Sequence, residues 1–285
     1  MIAIGKFNVL TVCEELSEGL LLTDRTDTVL LPRKAVLPEM VLGAEVNVFV
    51  YKDNETRLVA TTQVPNAVVG EFAYMEVKAV NTAGAFLDWG LEKDILVPFR
   101  EQTIEMQEGN WYVVYVYLDV ISSRVTASAR LSKFLQQADD SLKENDAVEI
   151  LITRRTNLGF DAIINNAYRG LLYENEIFEV VKVGEKRSAY IKKVRDDHKI
   201  DLKLQARDFG ISDDAKEKIL ETLKNNNGFL ALNDNSEPDA IRDQLQMSKK
   251  SFKKAVGGLF KEKKIILRPD GIEWVPWLVQ CYANI

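Results

Sequence analysis

The side chains that most often bind transition metals or act as catalytic bases are nearly missing from this chain of 285 residues, which has one histidine and two cysteines. Cys13 and Cys281 stand at opposite ends of the sequence, so there is no CxxC pair and no disulfide framework. His198 sits in Arg-Asp-Asp-His-Lys, a solvated turn between strands, and these counts exclude histidine-dependent triads and HExxH zinc chemistry. No segment matches GxxxxGK[ST] or GxGxxG, the loops that cradle phosphates. No catalytic residues, no metal ligands and no cofactor are expected. What the chain does concentrate is positive charge. Between residues 248 and 268, Lys249, Lys250, Lys253, Lys254, Lys261, Lys263, Lys264 and Arg268 face Glu262 alone, a local charge of +7. That grouping suits contact with a polyanion, and it equally suits the solvated face of an amphipathic helix.

The whole chain argues against coating by nucleic acid or anionic lipid, because 37 basic residues are outweighed by 43 acidic ones. Any polyanion site must therefore be local. A hydrophobic content of 46% is that of a globular protein, and the longest uncharged apolar run, residues 111–118, is far too short to cross a bilayer. The start, Met-Ile-Ala-Ile-Gly-Lys, enters strand-like sequence without a leader pattern, so a cytoplasmic protein is expected, with no membrane contact.

The elements that must carry the basic residues are of two kinds. The first two hundred residues alternate short Val/Ile/Leu/Tyr stretches with Gly, Asn and Asp about every ten residues, as antiparallel barrels do. Residues 5–9 (GKFNV) match 70–74 (GEFAY), 29–32 (VLLP) match 95–98 (ILVP), and 42–50 match 108–116, at a separation of 65 to 66. These are two copies of one fold. A diverged third copy runs through 145–150, 170–173, 183–191 and 200–204. Val46, Val48 and Val50 alternate with Asn47 and Phe49, whereas Trp111, Val113, Tyr115 and Tyr117 alternate with Tyr112, Val114 and Val116, a strand apolar on both faces. Leu131, Phe134, Leu135 and Ala138 have helical spacing, which predicts a short linker helix over 131–145. Phe99 reads as core.

After Gln205 the period becomes 3.6. A helix is predicted from Ser212 to Lys224, stopped by Asn225-Asn-Asn-Gly228. Ser236-Glu-Pro-Asp239 has the spacing of a capping box for a second helix through Gln246. Ser248 caps a third over 249–261 that buries Phe252, Val256 and Leu259, with Gly257-Gly258 marking close helix packing. Residues 265–275 then form two strands about Pro-Asp-Gly, the layout of a winged helix.

In the middle copy, Gly70-x-Phe72, Val77, Val80, Ala83-Gly-Ala-Phe86-Leu-Asp88-Trp-Gly90, then Asp119, Arg124 and Arg130, resemble the S1 RNA-binding domain. Beyond that copy, residues 156–166 (TNLGFDAIINN), 169–178 (RGLLYENEIF), 192–196 (KKVRD), 199–205 (KIDLKLQ), 226–230 (NNGFL) and 247–255 (MSKKSFKKA) stand out. On these the whole chain resembles the conserved virulence factor B family, cytoplasmic bacterial proteins with three S1-like barrels and a winged helix.

The resemblance implies a multidomain β plus α fold, three tandem oligonucleotide-binding (OB) barrels followed by a winged helix. The expected boundaries are 1–64, 65–138 with the linker helix, 139–207 and 208–285. It also implies stacking of unpaired bases on aromatic rings of one barrel face, with basic groups along the backbone. The second copy keeps Phe86, Asp119 and Arg124, but has Ala83 at the first aromatic position and Pro98 at the histidine. Asp119 and Arg124 equally suit an ion pair between strands that serves no ligand. The first copy has Glu18, Leu21 and Pro32 at those positions, so both barrels are expected to bind RNA weakly or act as spacers. In the third copy Tyr173 takes the histidine position, with Phe160, Tyr168 and Tyr190 as further rings, of which Phe160 and Tyr168 read rather as packing.

Charge favours the same end of the chain. Residues 1–64 and 65–138 each carry 6 basic and 9 acidic side chains, whereas 145–207 carry 12 and 10. The candidate site is therefore Arg154, Arg155, Tyr173, Lys192, Lys193 and Arg195 in the third barrel, continuous across a short linker over 205–212 with Lys249, Lys250, Lys253 and Lys254. A non-enzymatic binder of single-stranded RNA, in post-transcriptional control of gene expression, is the leading expectation. A protein-interaction scaffold, or a reader of duplex DNA through the winged helix, is the alternative.

Overall fold

The computed structural model describes residues 1–53, 57–139, 141–177, 179–204 and 213–275. The readings placed on Phe178, on the linker over 205–212 and on Cys281 lie outside the described residues. Two compact units divide the chain. The first holds residues 1–136 with 166–168, and the second holds 137–165 with 169 onward.

In the first unit, β1 (Lys6–Leu16), β2 (Gly19–Thr23), β3 (Thr28–Pro32), β4 (Glu45–Lys52) and β5 (Leu58–Thr61) close a barrel in the order β1-β2-β3-β5-β4. Every pair is antiparallel except β3 with β5, where Leu30 meets Val59. The alternation read in the sequence fills the barrel: Leu10, Val12, Leu22, Leu31, Val48 and Val50 are buried in it. The second barrel repeats the plan with β6 (Phe72–Asn81), β7 (Gly84–Leu87), β8 (Ile95–Pro98), β9 (Trp111–Leu118) and β10 (Val125–Ser128), a five-stranded sheet ordered β10-β9-β6-β7-β8 and curled nearly shut. Phe49 points out of the first barrel yet is fully buried, its ring edge-on to Trp89 at 5.4 Å. Trp89 in turn donates its indole N–H to the Ala67 carbonyl at 2.7 Å.

The second unit contains β11 (Ala147–Thr156), β12 (Gly159–Ile164), β13 (Tyr168–Tyr173), β14 (Lys186–Val194) and β15 (Ile200–Lys203), closed in the order β11-β12-β13-β15-β14. Tyr168 itself falls in the first unit. That the three barrels are copies is seen in two details. The first strand of each is bulged at the matching place, between Val12 and Glu14, Val77 and Ala79, and Ile152 and Arg154. The second strand of each opens on a glycine, Gly19, Gly84 or Gly159, with φ of +155°, +147° and +143°. A Cβ on these would lie 2.0, 2.2 and 1.9 Å from the carbonyl oxygens of Leu31, Val97 and Leu172, so only glycine fits.

The predicted linker helix is not formed. Over 131–145 the helical content among the described residues is one 3-10 turn, Leu131–Lys133. The apolar spacing is real, but tertiary contacts use it differently. Phe134 is stacked on Tyr115 at 4.1 Å, and the Gln136 N–H donates to the Ala167 carbonyl at 2.8 Å, which draws the chain out straight. Phe99 is likewise 46% exposed rather than core, because strand alternation ends at Pro98 and Phe99 begins the 3-10 turn Phe99–Glu101.

The winged helix follows as α1 (Asp213–Asn225), β16 (Phe229–Leu230), α2 (Pro238–Leu245), α3 (Lys249–Lys261), β17 (Ile265–Arg268) and β18 (Gly271–Trp274), with the three strands in the order β16-β18-β17. Ile219, Leu223, Ile241, Leu245, Phe252, Val256 and Leu259 form its core. Ser248 caps α3 as predicted, accepting from the Ser251 N–H at 3.0 Å. Ser236 does not cap α2. The N-cap is Glu237 with Pro238 next, and the Ser236 hydroxyl instead accepts from the Asn233 N–H at 2.8 Å in the preceding turn. Gly257 does not mark close packing either: it is exposed, and a Cβ placed on it meets nothing within 4 Å.

Candidate nucleic-acid interface

In the second barrel the sequence-predicted positions converge. Ala83, Phe86, Pro98, Asp119 and Arg124 all line one cleft of about 440 Å³, on the face that β7, β8 and β10 present. The Asp119 carboxylate accepts from the Ser122 hydroxyl at 2.7 Å and its N–H at 3.2 Å, which fixes the turn after β9 and holds the carboxyl below its usual range. Across that turn the Asp119 N–H donates to the Arg124 carbonyl at 2.9 Å. The corresponding cleft of the first barrel, about 650 Å³, is lined by Glu18, Leu21 and Pro32, the positions that the second copy fills with Ala83, Phe86 and Pro98. Among the described residues its one ring is Tyr51, and Glu18, Asp53 and Glu92 outnumber Lys34 and Arg57.

The third barrel presents a different face. Arg169, Leu171 and Tyr173 alternate outward along β13, and Leu171 pairs with Asp201 on β15. Arg195 closes on Asp201 and also donates to the Tyr173 hydroxyl. The Lys192 ammonium and the Arg195 guanidinium lie 6.0 and 5.9 Å from the Tyr173 ring centre, so two cations lie against the ring. Counting from the opening glycine, Asp161 stands where the second barrel has Phe86. This buried carboxylate accepts from Arg154 at 2.6 Å and from Arg169 at 2.8 Å. Arg155 reaches Glu174 at 2.8 Å and lies 5.9 Å over the Phe160 ring, and Lys192 pairs with Glu176. Lys193 is exposed, with no ion pair among the described residues. Four of the five predicted cations of this barrel are thus held by carboxylates. His198 is an exposed turn residue at φ +59°, its Nδ1 3.1 Å from the Ala138 carbonyl.

On α3 the predicted lysines are less committed. Lys250, Lys253 and Lys254 are exposed and Lys249 is half-buried, and among the described residues only Lys253 has a carboxylate in reach, Asp234 at 3.9 Å. Lys250, Lys253, Lys254, Gly257 and Lys261 follow one another at helical i, i+3, i+4 spacing and share a face. Farther on, Glu262 pairs with Lys216 and Lys264, and Arg268 with Glu273.

Residues 4–63 and 69–128 each match the S1 domain, and residues 217–273 match the CvfB-like winged helix domain. Over most of its length the chain is similar to proteins named conserved virulence factor B, and its winged helix matches the domain model built on them. Proteins similar to it include the conserved virulence factor B of Staphylococcus aureus (strain USA300), 26% identical over 235 residues, with 80% of this chain and 78% of that one covered. The uncharacterized protein YitL of Bacillus subtilis (strain 168) is 29% identical over 271 residues, covering 92% and 90%. A solved multidomain protein with nucleic acid binding domains from Streptococcus pneumoniae TIGR4 is 24% identical, covers 95% of this chain and 98% of its own, and superposes with a TM-score of 0.42. The two matched domain families are nucleic-acid-binding types rather than catalytic ones. Among the described residues no helix is long and apolar enough to cross a membrane.

Sequence reasoning missed Asp161, Arg169 and Asp201, which organise the third barrel's face. A signal was available: an aspartate in the middle of Phe-Asp-Ala-Ile-Ile or Ile-Asp-Leu stands where an outward position of a half-buried strand would be, and a carboxylate there needs cations.

Proposed function

We propose that this protein is a non-enzymatic, cytoplasmic RNA-binding protein that takes single-stranded RNA on the third barrel and on α3, in post-transcriptional control of gene expression. The observation that carries the reading is the face of α3, where Lys250, Lys253 and Lys254 are exposed and only Lys253 is near a carboxylate among the described residues. Tyr173 supplies a ring at the end of β13, and the Lys192–Glu176 pair beside it is about one-third exposed on each side, so a phosphate can compete for the Lys192 ammonium while Arg195 stays on the buried Asp201. Third barrel and winged helix lie in one compact unit, and one RNA strand would span them. Domain cuts at 64/65, 138/139 and 207/208 are part of the same proposal.

Duplex DNA is the second reading, because α3 is the helix a winged helix lays in a groove. Anisotropy of a labelled single-stranded RNA, competed with unlabelled duplex DNA, separates the two. RNA should bind at about 50 mM salt, resist the duplex competitor and fall steeply toward about 200 mM. Duplex DNA displacing it at lower concentration would give the site to DNA. Binding to protein partners alone, with a flat salt response, would make the chain a scaffold, a use the ring-poor first-barrel cleft would suit.

A further inference from the structure

The second barrel carries 6 basic and 9 acidic residues between 65 and 138, yet three of those six, Lys93, Arg100 and Arg124, line its cleft. Lys52 lines it too, so among the described residues four cations there face two carboxylates, Asp94 and Asp119. Positive charge is thus gathered into the cleft of an acidic barrel. The cleft is not made by the second barrel alone. Tyr51 and Lys52, the last residues of β4 in the first barrel, form part of its wall. The Lys93 ammonium donates to the Lys52 carbonyl at 3.3 Å, and the Tyr51 ring packs against Phe49 and Trp89 at 6.3 Å from each. Because Phe49 and Trp89 are buried against each other, that wall is held in place by the joint between the two barrels.

We propose that this cleft is a composite nucleotide site shared by the first two barrels, in which Lys93, steadied by the first barrel, takes a backbone phosphate, Phe86 and Tyr117 take the base, and Tyr51 closes the end. The proposal rests on the RNA-binding reading above and adds a second point of attachment to it. Its chemistry is that of a partly desolvated cation beside rings in an open cleft. Burial first, and the Arg124 charge second, press the Lys93 ammonium below its ordinary value, and an anion seated beside the ammonium offsets both effects. One of the three Lys93 donors goes to Lys52, which leaves the others to point at a phosphate. The first barrel's own cleft, with three carboxylates against two cations among the described residues, is not a second copy of this site. The first barrel therefore acts as the supporting wall of its neighbour's site.

The test uses the full chain and a fluorescein-labelled 12-nucleotide oligouridylate, comparing wild type, Lys93→Met, Tyr51→Leu and the four-lysine change at 249, 250, 253 and 254. Circular dichroism confirms folding of each variant. A parallel reading follows reductive methylation of Lys93 by mass spectrometry, with and without saturating oligonucleotide. The expected result is about tenfold weaker binding by Lys93→Met, as removal of one charge-assisted hydrogen bond implies. A smaller loss is expected for Tyr51→Leu, with slowed methylation of Lys93 in the complex. If the four-lysine change abolishes binding while Lys93→Met binds as wild type and Lys93 is methylated at its free rate, the composite site is wrong and the α3 reading stands. If Lys93→Met loses affinity and the four-lysine change does not, the composite site stands and the α3 reading falls. Should the wild type bind no oligonucleotide at about 50 mM salt, where phosphate-driven binding is strong, both are overturned.

Discussion

Arg195 and Asp201 form a two-point ion pair on the face of the third barrel, Nη2 to Oδ1 at 2.9 Å and Nε to Oδ2 at 3.0 Å. The pair orients the guanidinium so that it also donates to the Tyr173 hydroxyl, which fixes the ring at the end of β13. A fixed ring loses little entropy when a base stacks on it. Tyr173→Ala should therefore weaken single-stranded RNA binding by about 1 to 3 kcal/mol and leave the slope of affinity against salt unchanged, since stacking releases no counterions. Unchanged affinity in anisotropy would remove Tyr173 from the site.

Asp161 restrains two arginines at once, Arg154 and Arg169. In Asp161→Asn the shape is kept and the charge is lost, so both guanidinium groups become available to phosphate. The expected outcome is a steeper salt dependence of RNA binding, by about 0.7 for each further phosphate neutralised on a single strand, together with a lower Tm. An unchanged dependence would mean that the Asp161 face does not meet RNA.

Two glycines should respond in opposite directions to the same substitution. Gly159→Ala forces a methyl group to within 1.9 Å of the Leu172 carbonyl oxygen at φ +143°, and the loss in urea denaturation should exceed about 3 kcal/mol. Gly257→Ala puts its methyl group into open space on a helix and should stabilise the winged helix by about 0.5 to 1 kcal/mol. Should Gly257→Ala also lower RNA affinity, the bare helix backbone at that point is in contact with the ligand.

The barrels and the winged helix were legible in the sequence because their signals are local. Alternation along Val46, Val48 and Val50, a repeat offset of 65 to 66 and a serine in front of an amphipathic run each lie within a few residues of one another or recur in register. What was not legible depends on partners brought together by closure. Asp161 meets Arg169 only when β12 and β13 fold back together, and Lys93 meets Lys52 only when one barrel docks on the next. The stretch at 131–138 shows the same limit from the other side. Its helical spacing is outweighed by a single stack of Phe134 on Tyr115 and a hydrogen bond from Gln136. Counting charges also misled, because the +2 of the third barrel hides four cations already held by carboxylates.

The central claim is that RNA is held at the third barrel and α3, and the slope of log affinity against log salt tests it most directly. Measured on the full chain with single-stranded RNA, changing Lys249, Lys250, Lys253 and Lys254 together to Ala should weaken binding and flatten the slope by about 0.7 for each phosphate that no longer meets a lysine. Changing Arg33 and Lys34 in the first barrel should alter neither quantity. An equal loss from the first-barrel pair, or an unchanged slope in the four-lysine variant, would contradict the account and place the RNA elsewhere on the molecule.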